Sequence, residues 1–338
     1  MAQAAQVKRI NATDGNHPHE QIRSVGGTPP RIGAFTVASD AHVFLIGRPP
    51  IGELLGFIRT MAVDGQSVNF GDLTAEWRTA NDHVATLERE EAGAADNSPI
   101  TPLPESLRSL AENVLMDPVY QRAYRFVPTE IAMVDLNQVV VFQKFINLSY
   151  VEMLKQGLGS EPSPEAIFHL SLPLQPEQPQ FQIMQNGPNM FTMLSASTDF
   201  RFLEAQVLRP ESVPCFDSSG RPVAILGLSV GYGSNFMNLL HMENRLILGN
   251  GSHRAYALRD LGILQVPCLI QHVTRRDELE LVASGDFAAN PDRYLKSARP
   301  PMLRDYFDPA LRKIVPVCRK NRAVRIQFGV EQTDIPGQ

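Results

Sequence analysis

Apolar residues along this chain fall into short runs separated by proline- and glycine-bearing breaks, and only a few stretches carry helical spacing. Residues 35–37 and 43–46 read as strands, and Pro50 then opens a helix carrying Leu54, Leu55, Phe57 and Ile58. Trp77, Ala80, Val84 and Leu87 recur at the interval of an amphipathic helix. A short helix is expected over 107–115, a strand over 130–136, a second apolar run over 139–146, and a helix around 149–156. Phe168, Leu170, Leu172 and Leu174 alternate as a strand would, and 222–230 is a further apolar strand. Residues 236–242 and 245–248, joined at Glu243-Asn244, have the pattern of a β-hairpin.

The segment immediately after that hairpin is the most informative of the chain. Gly249-Asn250-Gly251-Ser252-His253-Arg254 is a glycine-bearing turn opening a helix, with Ser252 a natural N-cap. Gly262 stands where a left-handed residue would close the helix, and 266–271 is the next apolar strand. Glycines let backbone approach a ligand closely, and the first N–H groups of a helix have no partner within it. The helix dipole adds roughly half a positive charge there. Cations in a first turn oppose that dipole, and a phosphate between His253 and Arg254 would reverse the cost. The residues alone thus suggest an anion site, with a solvated, capped surface helix as the plainer alternative.

At Gly251-Ser252-His253-Arg254, and at Leu261-Gly262 through Val266-Pro267-Cys268-Leu269-Ile270, the chain resembles the ParB/sulfiredoxin superfamily, over about residues 221–271. The resemblance implies an α+β fold: a ParB/sulfiredoxin-like mixed sheet with helices. It also implies a turn that holds nucleotide phosphates, ATP or CTP, through Gly249, Asn250, Gly251, Ser252, His253 and Arg254. Gln143 and Lys144 resemble the family's nucleotide-facing entry segment in placement. In a phosphoryl-transfer or nucleotide-hydrolysis reading, Mg²⁺ would bridge the phosphates, His253 and Arg254 would stabilise charge, and Glu152 or Asp135 would orient an acceptor hydroxyl. Two departures narrow the choice. Ser252 stands where sulfiredoxins carry their catalytic cysteine, and no helix-turn-helix comes after Gln271 as it does in partitioning proteins.

Charge distribution adds a second theme. Between Asp72 and Asp96 there are five excess negative charges, and between Arg293 and Arg325 eight excess positive ones. The two stretches are expected to dock on each other; a basic segment meeting a polyanionic partner is the competing expectation. The formal net charge of -5 argues against a general nucleic-acid binder. Three widely spaced cysteines exclude a disulfide scaffold and suggest a reducing, cytoplasmic setting. The sequence shows neither a signal-peptide core nor a transmembrane run. The organisation expected is a flexible arm over 1–30, a mainly helical extension over 31–125, the core over 126–285, and a basic segment over 286–338. The Pro/Ser-rich stretch 96–104 is read as a linker.

Rival chemistry is thinner. Gly227-Leu228-Ser229-Val230-Gly231 fits the nucleophile elbow of serine hydrolases, with Asp260 and His272 next in order. Asp260, however, falls inside the helix described above, and a hairpin rather than a helix comes after the elbow. No metal-ligand spacing is present among the histidines. A non-catalytic, nucleotide-responsive switch is the alternative of a different class.

Overall fold

The computed structural model describes residues 7–9, 39–174, 179–213 and 220–335. The expected arm over 1–30 lies outside them except for Val7–Arg9, as does the strand expected at 35–37. By its internal contacts the chain divides into two units. One comprises 1–35, 177–233 and 320–338; the other, larger, comprises 36–176 and 234–319. Residues 36–125 of the expected extension and 286–319 of the basic segment therefore share a unit with 126–176 and 234–285 of the expected core, whose residues 177–233 fall in the smaller unit.

The smaller unit is all β among its described residues, apart from a single 3₁₀ turn, Pro210–Ser212. Val7–Arg9, Phe181–Gly187, Met190–Ser195 and Arg322–Gln327 form an antiparallel sheet in that order. Arg201–Leu208 pairs separately with Ile225–Gly231. Ser229 lies inside that second ladder, opposite Glu204. A nucleophile elbow needs a sharp strand-to-helix turn, so the serine-hydrolase reading of Ser229 is corrected to an ordinary strand residue.

The larger unit is α+β. Its main sheet runs Arg245–Asn250, Asn238–Met242, Gln265–His272, Thr129–Asp135, Ile100–Thr101. Gln265–His272 is parallel to Asn238–Met242 and antiparallel to Thr129–Asp135. Both faces are covered, which explains why these strands read as unbroken apolar runs. Ala132, Val134, Leu246, Leu248, Cys268 and Ile270 pack one face against helices Leu148–Leu158 and Ser252–Asp260. Leu240, Met242 and Ile247 face Val140, Phe287 and Tyr294 on the other. A second sheet, Arg312–Cys318, Ser39–Leu45, Phe145–Asn147, joins the first. The alternation of Ser39–Leu45 divides its side chains: Val43 and Leu45 enter the shared core, while Phe44 packs under helices Ile51–Met61 and Phe70–Glu90.

Local signals explain the elements around the glycine turn. Glu243 and Asn244 have φ of 48° and 62°, so both occupy the left-handed region that a two-residue hairpin turn of this twist requires. At the far end of Ser252–Asp260 the Gly262 amide donates to the Arg259 carbonyl and the Ile263 amide to Leu258. With Gly262 at φ +80° this is a Schellman closure.

Four expectations are revised. Phe168 and Leu170 lie in a helix, Pro164–Ser171, whose Ser163 hydroxyl accepts from the Ala166 amide with proline in the first turn. The run 139–146 is mostly irregular: Val140 forms isolated bridges to Ile247 and Met302 before the short strand Phe145–Asn147. Residues 96–104 are no linker, because Ile100–Thr101 is the edge strand beside Val134 and Met133. Gly251, in place of Ser252, is the N-cap of Ser252–Asp260.

The acidic and basic stretches do dock on each other. Lys313 pairs with Glu76 at 2.5 Å, Arg299 and Arg304 both reach Glu91, and the His83 ring meets Asp308 at 2.8 Å. Arg299 and Asp305, 2% and 1% exposed, form a two-pronged pair beneath. Among the described residues no helix is long and apolar enough to cross a membrane.

Candidate functional site

The glycine turn is a close fit to its own chain. Gly251 has φ +96°, and a Cβ there would stand 2.7 Å from the Met237 Cγ and 3.1 Å from its Cα. The glycine is thus demanded by packing as well as by conformation. Gly249 is next to the Asn238 side chain, where a Cβ would come within 3.2 Å. The exposed Asn250 donates through Nδ2 to the Phe236 carbonyl, and its Oδ1 accepts from the Gly251 amide.

Beyond the turn, the helix starts without a side-chain cap. Among the described residues no acceptor meets the Ser252 or His253 amides. The neighbouring helix Leu148–Leu158 runs beside it in the same direction, since Tyr150 touches His253 near one end and Lys155 pairs with Asp260 at the other. Two helix N-termini therefore lie side by side, and their dipoles add. The second is capped by Asn147, whose Oδ1 accepts from the Tyr150 amide. The strand Ser39–Leu45 borders the same region through the Ser149 hydroxyl, which accepts from the Ala41 amide. Nearby, His42 is stacked on Phe145 and has a buried Nδ1 that meets no hydrogen-bond partner among the described residues.

The side chains of His253 and Arg254 both lie against their own chain. The His253 ring stands edge-on to Tyr150, and burial, with His42 and Arg254 nearby, pushes its pKa down to about 4. It is neutral at physiological pH and can serve only as a neutral donor or acceptor. Arg254 is buried at 6% exposure, and its Nη1 donates to the carbonyls of Leu170, Ser171 and Asn235. The first two close helix Pro164–Ser171, so the guanidinium also neutralises a helix C-terminus. Arg254 is in the first place a clamp joining three segments.

The remaining expected residues are dispersed. Asp135 pairs in register with Gln265, beyond the C-terminal end of Ser252–Asp260, and its carboxylate accepts from the Asn137 amide. It is therefore at the wrong end of the helix to orient an acceptor at the turn. Glu152 is largely exposed and is engaged by Lys155 and Gln156. Gln143 and Lys144 line a small hollow shared with Arg48 and Arg293, to which the turn contributes nothing. Lys144 is paired there with Glu53. Among the described residues no group of three or more His, Cys, Asp or Glu side chains is placed to hold a metal ion.

A cavity of about 500 Å³ adjoins that small hollow, and no sequence motif announces it. It lies between Phe70–Glu90 and Pro291–Leu295, over Arg48, with Asn81, Glu88, Arg293, Lys296 and Ser297 in its wall. Arg293 and Lys296 stand out in sequence only as members of the basic stretch. Arg48 gives no signal beyond its place before two prolines.

Comparison with known proteins returned no matching family model, no similar curated protein and no similar solved structure.

Proposed function

We propose that this chain binds a phosphate-bearing small molecule, a nucleotide such as ATP or CTP, at the glycine turn. The observation that carries the reading is the uncapped start of Ser252–Asp260, with unmet amides at Ser252 and His253, beside a second helix of the same direction. Amides so arranged favour an anion through both hydrogen bonds and dipole. The order strand, glycine turn, helix, strand is also what the resemblance to the ParB/sulfiredoxin superfamily implies, and it supports the same reading.

Binding is favoured over phosphoryl transfer. Asp135 lies at the far end of the helix and Glu152 faces solvent, so neither carboxylate supplies a base at the turn. Arg299, Arg304 and Lys313 of the basic segment are engaged by carboxylates of their own unit, which weighs against the switch reading.

Calorimetric titration with ATP, CTP and pyrophosphate, tracked residue by residue through amide NMR shifts, tests the proposal. The Ser252 and His253 amides should move most. Asn250→Asp, which places a carboxylate at an exposed position just before the helix, should weaken binding about tenfold by repulsion. Saturable binding that moves other amides and ignores Asn250→Asp would overturn the assignment.

A further inference from the structure

We propose that the cavity above Arg48 is a second binding site, for a small organic oxyanion, carboxylate or phosphate, that also carries a hydrogen-bond donor such as an ammonium or hydroxyl. It is separate from the glycine turn and does not depend on it.

Charge is the first reason. Arg48, Arg299 and Arg304 are three guanidiniums, and they share two carboxylates: Arg48 and Arg299 both use Asp305, while Arg299 and Arg304 both use Glu91. Asp305 also accepts from the Met302 amide, so its capacity is filled by others. The Arg48 side chain is only 6% exposed, and its nearest carboxylate contact is a loose 3.2 Å. Its Nη1 donates to the Arg299 carbonyl, but Nε is buried and has no partner among the described residues. A buried cation with an incomplete share of counter-charge is costly, and an anion in the adjoining space relieves that deficit. Burial indeed presses the Arg48 pKa below its ordinary value despite Asp305 and Glu88.

The walls define the rest of the ligand. Arg293 and Lys296 add positive charge on the same side. The Lys296 partner, Asp292, is also drawn by Arg276, which does not line the cavity, so it neutralises Lys296 only in part. Glu88, across the space on Phe70–Glu90, makes no ion pair or hydrogen bond among the described residues. A molecule with an oxyanion at the arginine end and a donor at the Glu88 end satisfies both. The volume is ordinary for a small-molecule site.

The experiment uses the full chain carrying Asn250→Asp, which weakens the turn, and titrates O-phosphoserine and inorganic phosphate while the Ser252 and His253 amide NMR shifts report any occupancy of the turn. Trp77 is the only tryptophan of the chain and donates to the carbonyl of Pro49, next to Arg48, so its fluorescence reports on this cavity. Phosphoserine should bind about tenfold more tightly than phosphate, as one charge-assisted bond predicts. Glu88→Gln should erase that advantage without weakening phosphate, and Lys296→Met should weaken both; each is an exposed position whose replacement spares the fold. Absence of saturable binding by either anion, or binding indifferent to both substitutions, would overturn the proposal. Loss of nucleotide binding at the turn alone would not touch it.

Discussion

His253 offers the most direct check on the electrostatics of the turn. The imidazole faces Tyr150 from the adjacent helix, Arg254 from its own, and His42 from the neighbouring strand; two of these oppose a positive charge. Burial is the larger cause, and together they lower its pKa from 6.5 to about 4. The unfolded chain then binds a proton that the folded chain refuses between those values. Stability is therefore full above about pH 6.5 and falls as the pH drops toward 4. Between pH 7.5 and 5 a single such histidine removes about 2 kcal/mol, an upper figure because the ring keeps some contact with solvent.

Urea unfolding monitored through Trp77 reads the larger unit alone. The acid-induced loss measured between those two pH values should shrink by that amount in His253→Asn. His42, His241 and carboxylates with lowered pKa such as Glu91 contribute acid loss in both proteins alike. Titration of the His253 ring by NMR gives the value itself. A midpoint near 6.5, or an acid loss identical in the variant, would refute the argument that this part of the turn is desolvated and cation-rich.

An anion held beside a neutral histidine raises its pKa, so sulfate, which does not titrate in this range, should bind more tightly at pH 5 than at pH 7.5, and His253→Asn should abolish the difference in calorimetry. Gly251→Ala must place a Cβ against Met237 at a φ of +96°, and should destabilise the larger unit by about 1–3 kcal/mol in urea. Arg254→Ala removes the guanidinium from the Leu170 and Asn235 carbonyls and leaves Ser171 only the Met237 amide, so it should lose a similar amount, about 1–3 kcal/mol, whether or not ligand is present. Arg299→Met leaves the buried Asp305 with only the looser Arg48 pair and the Met302 amide, and should lower stability by about 3–5 kcal/mol in urea unfolding.

How far the sequence discloses this molecule depends on the range over which each signal acts. The hairpin, the glycine turn and the Gly262 closure are legible because their chemistry is local: left-handed positions at Glu243-Asn244, Gly251 and Gly262 are set by immediate neighbours. The acidic helix and basic segment can be matched because opposite charge survives averaging over a stretch. Pro164–Ser171 reads as a strand because an apolar spacing of two satisfies four side chains on either geometry, and it outweighs Ser163-Pro164, the local helix-start signal. Arg254 has the look of a phosphate ligand because its acceptors, the carbonyls of Leu170, Ser171 and Asn235, are backbone atoms that no side-chain pattern announces. Arg48 is invisible for the same reason at longer range: its acceptors, Arg299 and Asp305, lie 251 and 257 residues away. A guanidinium's role is fixed by what accepts from it, and those acceptors come together only when the chain is folded. The donors at Ser252, His253 and Arg48 that meet no acceptor among the described residues are accordingly properties of the fold, which no local sequence pattern specifies.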